Sequence, residues 1–95
     1  MPYVRVTVVS YDPARQEAIE RFAEEHFDSK IRQLPGFRRW TAAGDRAGHT
    51  VTISEWDTLE QAQVGALPAL GLEQSFTDLG LRQEAVHVYE VLTQF

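Results

Sequence analysis

The sequence has no cysteine, which removes disulfide staples, thiolate nucleophiles and sulfur-ligated metal sites together. It also lacks a basic surplus, with 9 Lys and Arg against 14 Asp and Glu for a net charge of -5. A chain of that sign repels a phosphate backbone and carries no Lys/Arg stripe, so nucleic acid is not an expected partner. Nowhere do eighteen apolar residues follow one another, and no basic and apolar leader precedes the strand-like run at Tyr3. Neither a membrane partner nor secretion is expected, and the expected location is cytoplasmic. A phosphate-cradling glycine loop and a nucleophile elbow are missing. His26, His49 and His87 share no metal-ligand spacing, so the expected cofactor list is empty: no metal and no flavin.

What remains is ordinary globular material. Over 95 residues, 43% are hydrophobic and 24% charged, which suits one domain, residues 1–95, whose modest core benefits from a partner surface. Val4, Val6 and Val8 alternate with Tyr3, Arg5 and Thr7, predicting a strand from Tyr3 to Ser10. Asp12-Pro13 then opens a helix whose apolar stripe, Ile19, Phe22, Ala23, His26, Phe27, Ile31 and Leu34, runs down to Pro35-Gly36. A second strand, Phe37 to Ala43, leads through the Gly44–Gly48 loop into a third, His49 to Trp56. Thr58 and Gln61 match the capping box of a second helix. Pro68 and Gly71 are expected to break it into two pieces before Gly80. Val86 to Leu92 is the last predicted strand, followed by a Thr93-Gln94-Phe95 tail.

The order β-α-β-β-α-β defines an α+β, ferredoxin-like fold, a four-stranded antiparallel sheet with both helices on one face. The other face is then bare. Two helices cannot cover Tyr3, Trp40, Trp56 and Tyr89 together, which predicts a homodimer closed over that face, with Trp40 a candidate interface residue.

Three segments carry a family resemblance: Leu34-Pro35-Gly36-Phe37, Ser54-Glu55-Trp56-Asp57-Thr58 and Val88-Tyr89-Glu90-Val91. In this order they resemble the antibiotic biosynthesis monooxygenase family of dimeric α/β barrels. The resemblance implies two protomers packed sheet against sheet, a pocket between helices and sheet in each, and oxidation of aromatic substrates without flavin or metal. In a related haem-degrading branch the working residues are an Asn on the first strand, a Trp ending the third and a His on the second helix. Only Trp56 corresponds, since the chain contains no Asn and no His between Thr58 and Arg82.

The candidate site residues follow from parity and from this resemblance. Arg5, opposite the valine stripe, is a candidate anchor for an anionic small-molecule ligand, the alternative being one half of an ion pair across a dimer. Trp56 is either the aromatic wall of a pocket or a core residue, and Trp40 and Ser54 are further pocket candidates. His87 and Tyr89 share a strand face and make a candidate proton-transfer pair, the alternative being a solvent or interface position. Catalysis by a cofactor-independent monooxygenase, passive binding of a small ligand and a purely structural dimer module all remain open at this level.

Overall fold

The structure, a computed structural model, describes all of residues 1–95. Four strands, β1 (Tyr3–Ser10), β2 (Phe37–Gly44), β3 (His49–Trp56) and β4 (Arg82–Glu90), form one sheet in the order β2-β3-β1-β4. Every pairing is antiparallel. The helical segments are α1 (Gln16–His26), α2 (Asp28–Ile31), α3 (Leu59–Val64), α4 (Ala66–Leu70) and α5 (Glu73–Asp78). This is the ferredoxin-like α+β arrangement. No helix is long and apolar enough to cross a membrane.

Local chemistry explains the starts and stops. The Asp12 carboxylate accepts from the Ala14 backbone N–H at 3.0 Å and Pro13 opens a 3₁₀ turn, Pro13–Arg15, ahead of α1. At α3 the capping box is complete: Gln61 N–H donates to Thr58 Oγ1 at 3.2 Å, and Thr58 N–H donates to Gln61 Oε1 at 3.1 Å.

The first helix does not run unbroken to Leu34; Phe27, whose φ of -115° is distorted from the helical ideal, divides α1 from α2, and α2 stops at Ile31, three residues early. The bend buries Phe27 edge-on to Trp40, with ring centroids 4.8 Å apart. The second helical region falls into three pieces rather than two. Its first break is at Gly65, while Pro68 sits inside the first turn of α4, where a missing N–H costs no helical bond. Only the stop at Gly71 agrees with expectation, through a left-handed glycine at φ 68°. β4 begins four residues before the predicted Val86, because polar Arg82 and Gln83 pair with Ser10 and Val9 around a bulge. It ends at Glu90, two residues short of the predicted Leu92.

Register assigns the faces. Tyr3 opposes Trp56, Arg5 opposes Ser54 and Val88, and Thr7 opposes Thr52 and Val86, so this set points toward the helices. The core on that side joins Phe27, Ile31, Trp56, Ala62, Ala66 and Phe76, with Tyr3, Phe37 and Trp40 packed against it. Each large aromatic buried there contributes about 1.5–3 kcal/mol.

The valine stripe lies on the opposite, uncovered face. Val4, Val6 and Val8 stand beside Glu55, Ile53 and Val51 on one flank and Tyr89, His87 and Ala85 on the other. The aromatic argument for a bare face therefore needs correction, since Tyr3, Trp40 and Trp56 all face the helices. Trp40 is no interface residue of that face. What the open face presents is aliphatic, with Val8 at 36% and Ile53 at 38% exposure, plus the half-exposed ring of Tyr89.

Candidate functional site

Between sheet and helices lies a cavity of about 360 Å³. Its floor is the helix-facing side of the sheet: Arg5, Thr7 and Val9 from β1, Thr50, Thr52 and Ser54 from β3, and Trp40 and Ala42 from β2. Ile19, Ala23 and Phe27 form one side of the roof, and Ala66, Leu67, Phe76 and Leu81 the other. Period-two alternation thus turns the hydroxyls of β1 and β3 into a polar floor under an aromatic and aliphatic roof. Tyr11 adds a phenol 3.3 Å from the Thr50 hydroxyl. Glu20 and Arg46, 3.8 Å apart, also line the cavity and tie α1 to the β2–β3 hairpin.

Arg5 is held from above. One guanidinium nitrogen, Nη1, donates to the carbonyls of Ala62 at 3.2 Å and Gln63 at 2.7 Å, the last turn of α3. Those carbonyls lack intrahelical partners, so a cation there satisfies them and the end of the helix together. Burial pulls the Arg5 pKa down and the negative charge of Glu73 opposes that pull. A guanidinium remains charged across working pH nonetheless. Gly65 is what lets the side chain pass: a Cβ there would stand 2.7 Å from Arg5 Nε and 2.9 Å from Cδ.

The six sequence candidates divide by face. Arg5, Trp40 and Ser54 line the cavity. Trp56 neighbours them but is not in the wall: it is 2% exposed, packs edge-on to Phe37 at 5.6 Å, and donates from Nε1 to Ser54 Oγ at 2.8 Å. Of its two readings, the geometry is that of a core residue which orients Ser54. His87 and Tyr89 do stack, with ring centroids 5.9 Å apart, but on the open face, across the sheet from the cavity. Strand parity separates them from Trp56, because Trp56 opposes Tyr3 and Tyr3 opposes Glu90, which puts Tyr89 on the other side. No histidine lines the cavity at all.

Among the cavity residues that sequence reasoning passed over are Phe27, Phe76, Thr7, Thr52 and Glu73. Thr7 and Thr52 were available from parity with Arg5 and Ser54. Glu73 was not, since its place depends on how α4 and α5 fold back. No group of three or more His, Asp or Glu side chains is arranged to hold a metal ion.

No family model matches the chain, and no curated protein matches it in sequence. Solved structures do match in fold. A monooxygenase from the gene ActVA-Orf6 of Streptomyces coelicolor, solved with nanaomycin D, superposes with a TM-score of 0.71 at 21% identity, covering 98% of this chain and 89% of that one. SnoaB, a cofactor-independent oxygenase from Streptomyces nogalater, gives 0.68 at 18% identity over 98% and 95% of the two chains. A Deinococcus radiodurans protein provisionally assigned to antibiotic biosynthesis monooxygenases gives 0.74 at 17% identity over 98% and 95%. The chain is antibiotic biosynthesis monooxygenase-like in fold over its whole length.

Proposed function

We propose that this protein is a cofactor-independent, monooxygenase-like enzyme that takes a small planar aromatic or quinol-type substrate into the helix-side cavity. The observation that carries the reading is the cavity itself, large enough for a small ring system and walled by Phe27, Trp40 and Phe76 above a floor of hydroxyls with one cation, Arg5. In such chemistry the substrate supplies the electron. A phenol or anthrone that loses its proton becomes an anion able to reduce O₂ where water is excluded and negative charge is stabilised. The fold likeness to ActVA-Orf6 and SnoaB supports the reading.

Oxygen uptake with a panel of anthrones and dihydroxynaphthalenes, without added cofactor, tests it. Uptake that saturates with substrate and falls in Arg5→Met is expected. No uptake across the panel sinks it.

A second reading, passive binding of the same kind of ligand, is favoured by one observation: the proton-transfer pair proposed from sequence, His87 and Tyr89, lies on the far face of the sheet. If wild-type protein binds such rings saturably yet consumes no O₂, this reading holds.

The partner we propose is a second copy of the chain, seated on the open face, because Val4, Val6, Val8, Val51 and Ile53 form an aliphatic field that nothing in the protomer covers. Cytoplasmic residence is part of the same proposal.

A further inference from the structure

With histidine absent from the cavity, its acid–base groups reduce to three carboxylates, a phenol and two guanidinium groups. Glu20 is engaged by Gln16 Nε2 at 3.1 Å and by Arg46. Asp28 and Glu73 carry no side-chain hydrogen bond or salt bridge. Of these two, Glu73, on the first residue of α5, is the one whose charge reaches Arg5. Arg5 in turn spends only Nη1 on the α3 carbonyls, which leaves Nε and Nη2 without a protein acceptor. No salt bridge closes the space between Arg5 and Glu73. A cation with spare donors and a carboxylate with spare acceptors thus border one cavity without neutralising each other directly.

We propose that Glu73 is the proton acceptor of this cavity and Arg5 the holder of the resulting oxyanion, so that an acidic phenol or enol is bound by transfer of its proton to Glu73. The ligand's O–H bond breaks, an O–H bond forms on the Glu73 carboxylate, and the electron pair stays on the ligand oxygen against the guanidinium. No oxidant takes part in this step. The inference rests on the helix-side cavity being a site for planar aromatics, but not on catalysis.

The balance of charge gives a signature that a structural role for Glu73 would not produce. In wild type the proton never leaves the complex, so affinity for total ligand is flat between the ordinary carboxylate range and the phenol's own pKa, and it is in that window that the wild-type and Glu73→Gln profiles diverge. Above that pKa it falls about tenfold per pH unit, because the ligand arrives already ionised and meets an ionised Glu73. Glu73→Gln resembles the protonated carboxyl and cannot accept the proton. It binds the anion from solution, so affinity rises about tenfold per pH unit up to the phenol's pKa and is flat above it.

The probe is 4-nitro-1-naphthol, whose anion is coloured. Titrations over a pH series should show the anion band in bound wild type below the free probe's pKa, with no net proton release. Glu73→Gln should show the same band with about one proton released and the opposite pH profile. Arg5→Lys should lower affinity for the anion. Because Glu73 is exposed, its Gln variant is expected to fold like wild type, which circular dichroism checks. Identical pH profiles for wild type and Glu73→Gln overturn the proposal, as does a wild-type complex in which the probe stays neutral; either leaves the cavity a binding site. Absence of saturable binding overturns both the proposal and the cavity reading it rests on.

Discussion

Replacing Gly65 with alanine tests how the site is built. Gly65 has φ 77° and ψ 169°, a region that is essentially glycine's alone and costs another residue about 1–3 kcal/mol. The added Cβ would also crowd Arg5 Nε, Cδ and Cζ at 2.7, 2.9 and 3.0 Å. Arg5 must then move, and its two bonds to the α3 carbonyls loosen. Those charged bonds are part-buried at best, so their loss is discounted to about 1 kcal/mol in all. The total, about 2–4 kcal/mol, should lower the melting temperature by about 10 °C or more in a domain of this size.

Gly71→Ala is the internal control. It too has positive φ, at 68°, but a Cβ there meets nothing within 4 Å, so only left-handed strain of about 1 kcal/mol applies. Urea or thermal unfolding of Gly65→Ala, Arg5→Ala and the double variant completes the argument as a cycle. The double variant should cost less than the sum of the singles, because removing Arg5 removes the clash. Strict additivity, or a Gly65→Ala penalty no larger than that of Gly71→Ala, would refute the account of how Arg5 is seated.

Trp56→Ala should destabilise by about 3–5 kcal/mol in denaturant unfolding, since Trp56 is a core residue that bonds Ser54; a folded, equally stable variant that merely binds ligand weakly would return Trp56 to the cavity wall. The Asp45 pKa is lowered, first by the Ala47 backbone N–H and further by His49. Its contribution is therefore present above the ordinary carboxylate range and lost as pH falls through the depressed folded value. Asp45→Asn should accordingly differ in stability from wild type at neutral pH and converge with it in acid, and a constant difference across a pH series of unfolding curves would contradict this. Ile53→Glu places a charge in the centre of the open face, so light scattering should report a dimer for wild type and a monomer for the variant; a monomeric wild type at micromolar concentration removes the dimer.

Strand positions and the fold were legible because they rest on local pattern: period-two alternation at Tyr3–Ser10 and His49–Trp56 and the capping box at Thr58. The polar start of β4 was not, because Arg82-Gln83-Glu84 looks like loop until β1 supplies its pairing partners. Nor was the break at Gly65, whose glycine serves a side chain 60 residues away in sequence rather than its own helix.

The site was half legible, and the division has one cause. Strand parity fixes which residues share a face with each other, but only the direction of the crossovers fixes which face the helices take. Arg5, Trp40 and Ser54 fell on the covered side and His87 with Tyr89 on the bare one. Had the register of β1 with β4 been known, the separation of Tyr89 from Trp56 would have followed at once, because both are read through Tyr3. The same pairing that removes the histidine from the cavity leaves the Tyr11 phenol and three carboxylates there. The carboxylates come from the helical layer, where spacing along the chain carries no information about what faces Arg5. A sheet can therefore announce the floor of such a site, while the group that moves a proton above it is decided by how α4 and α5 turn at Gly65 and Gly71.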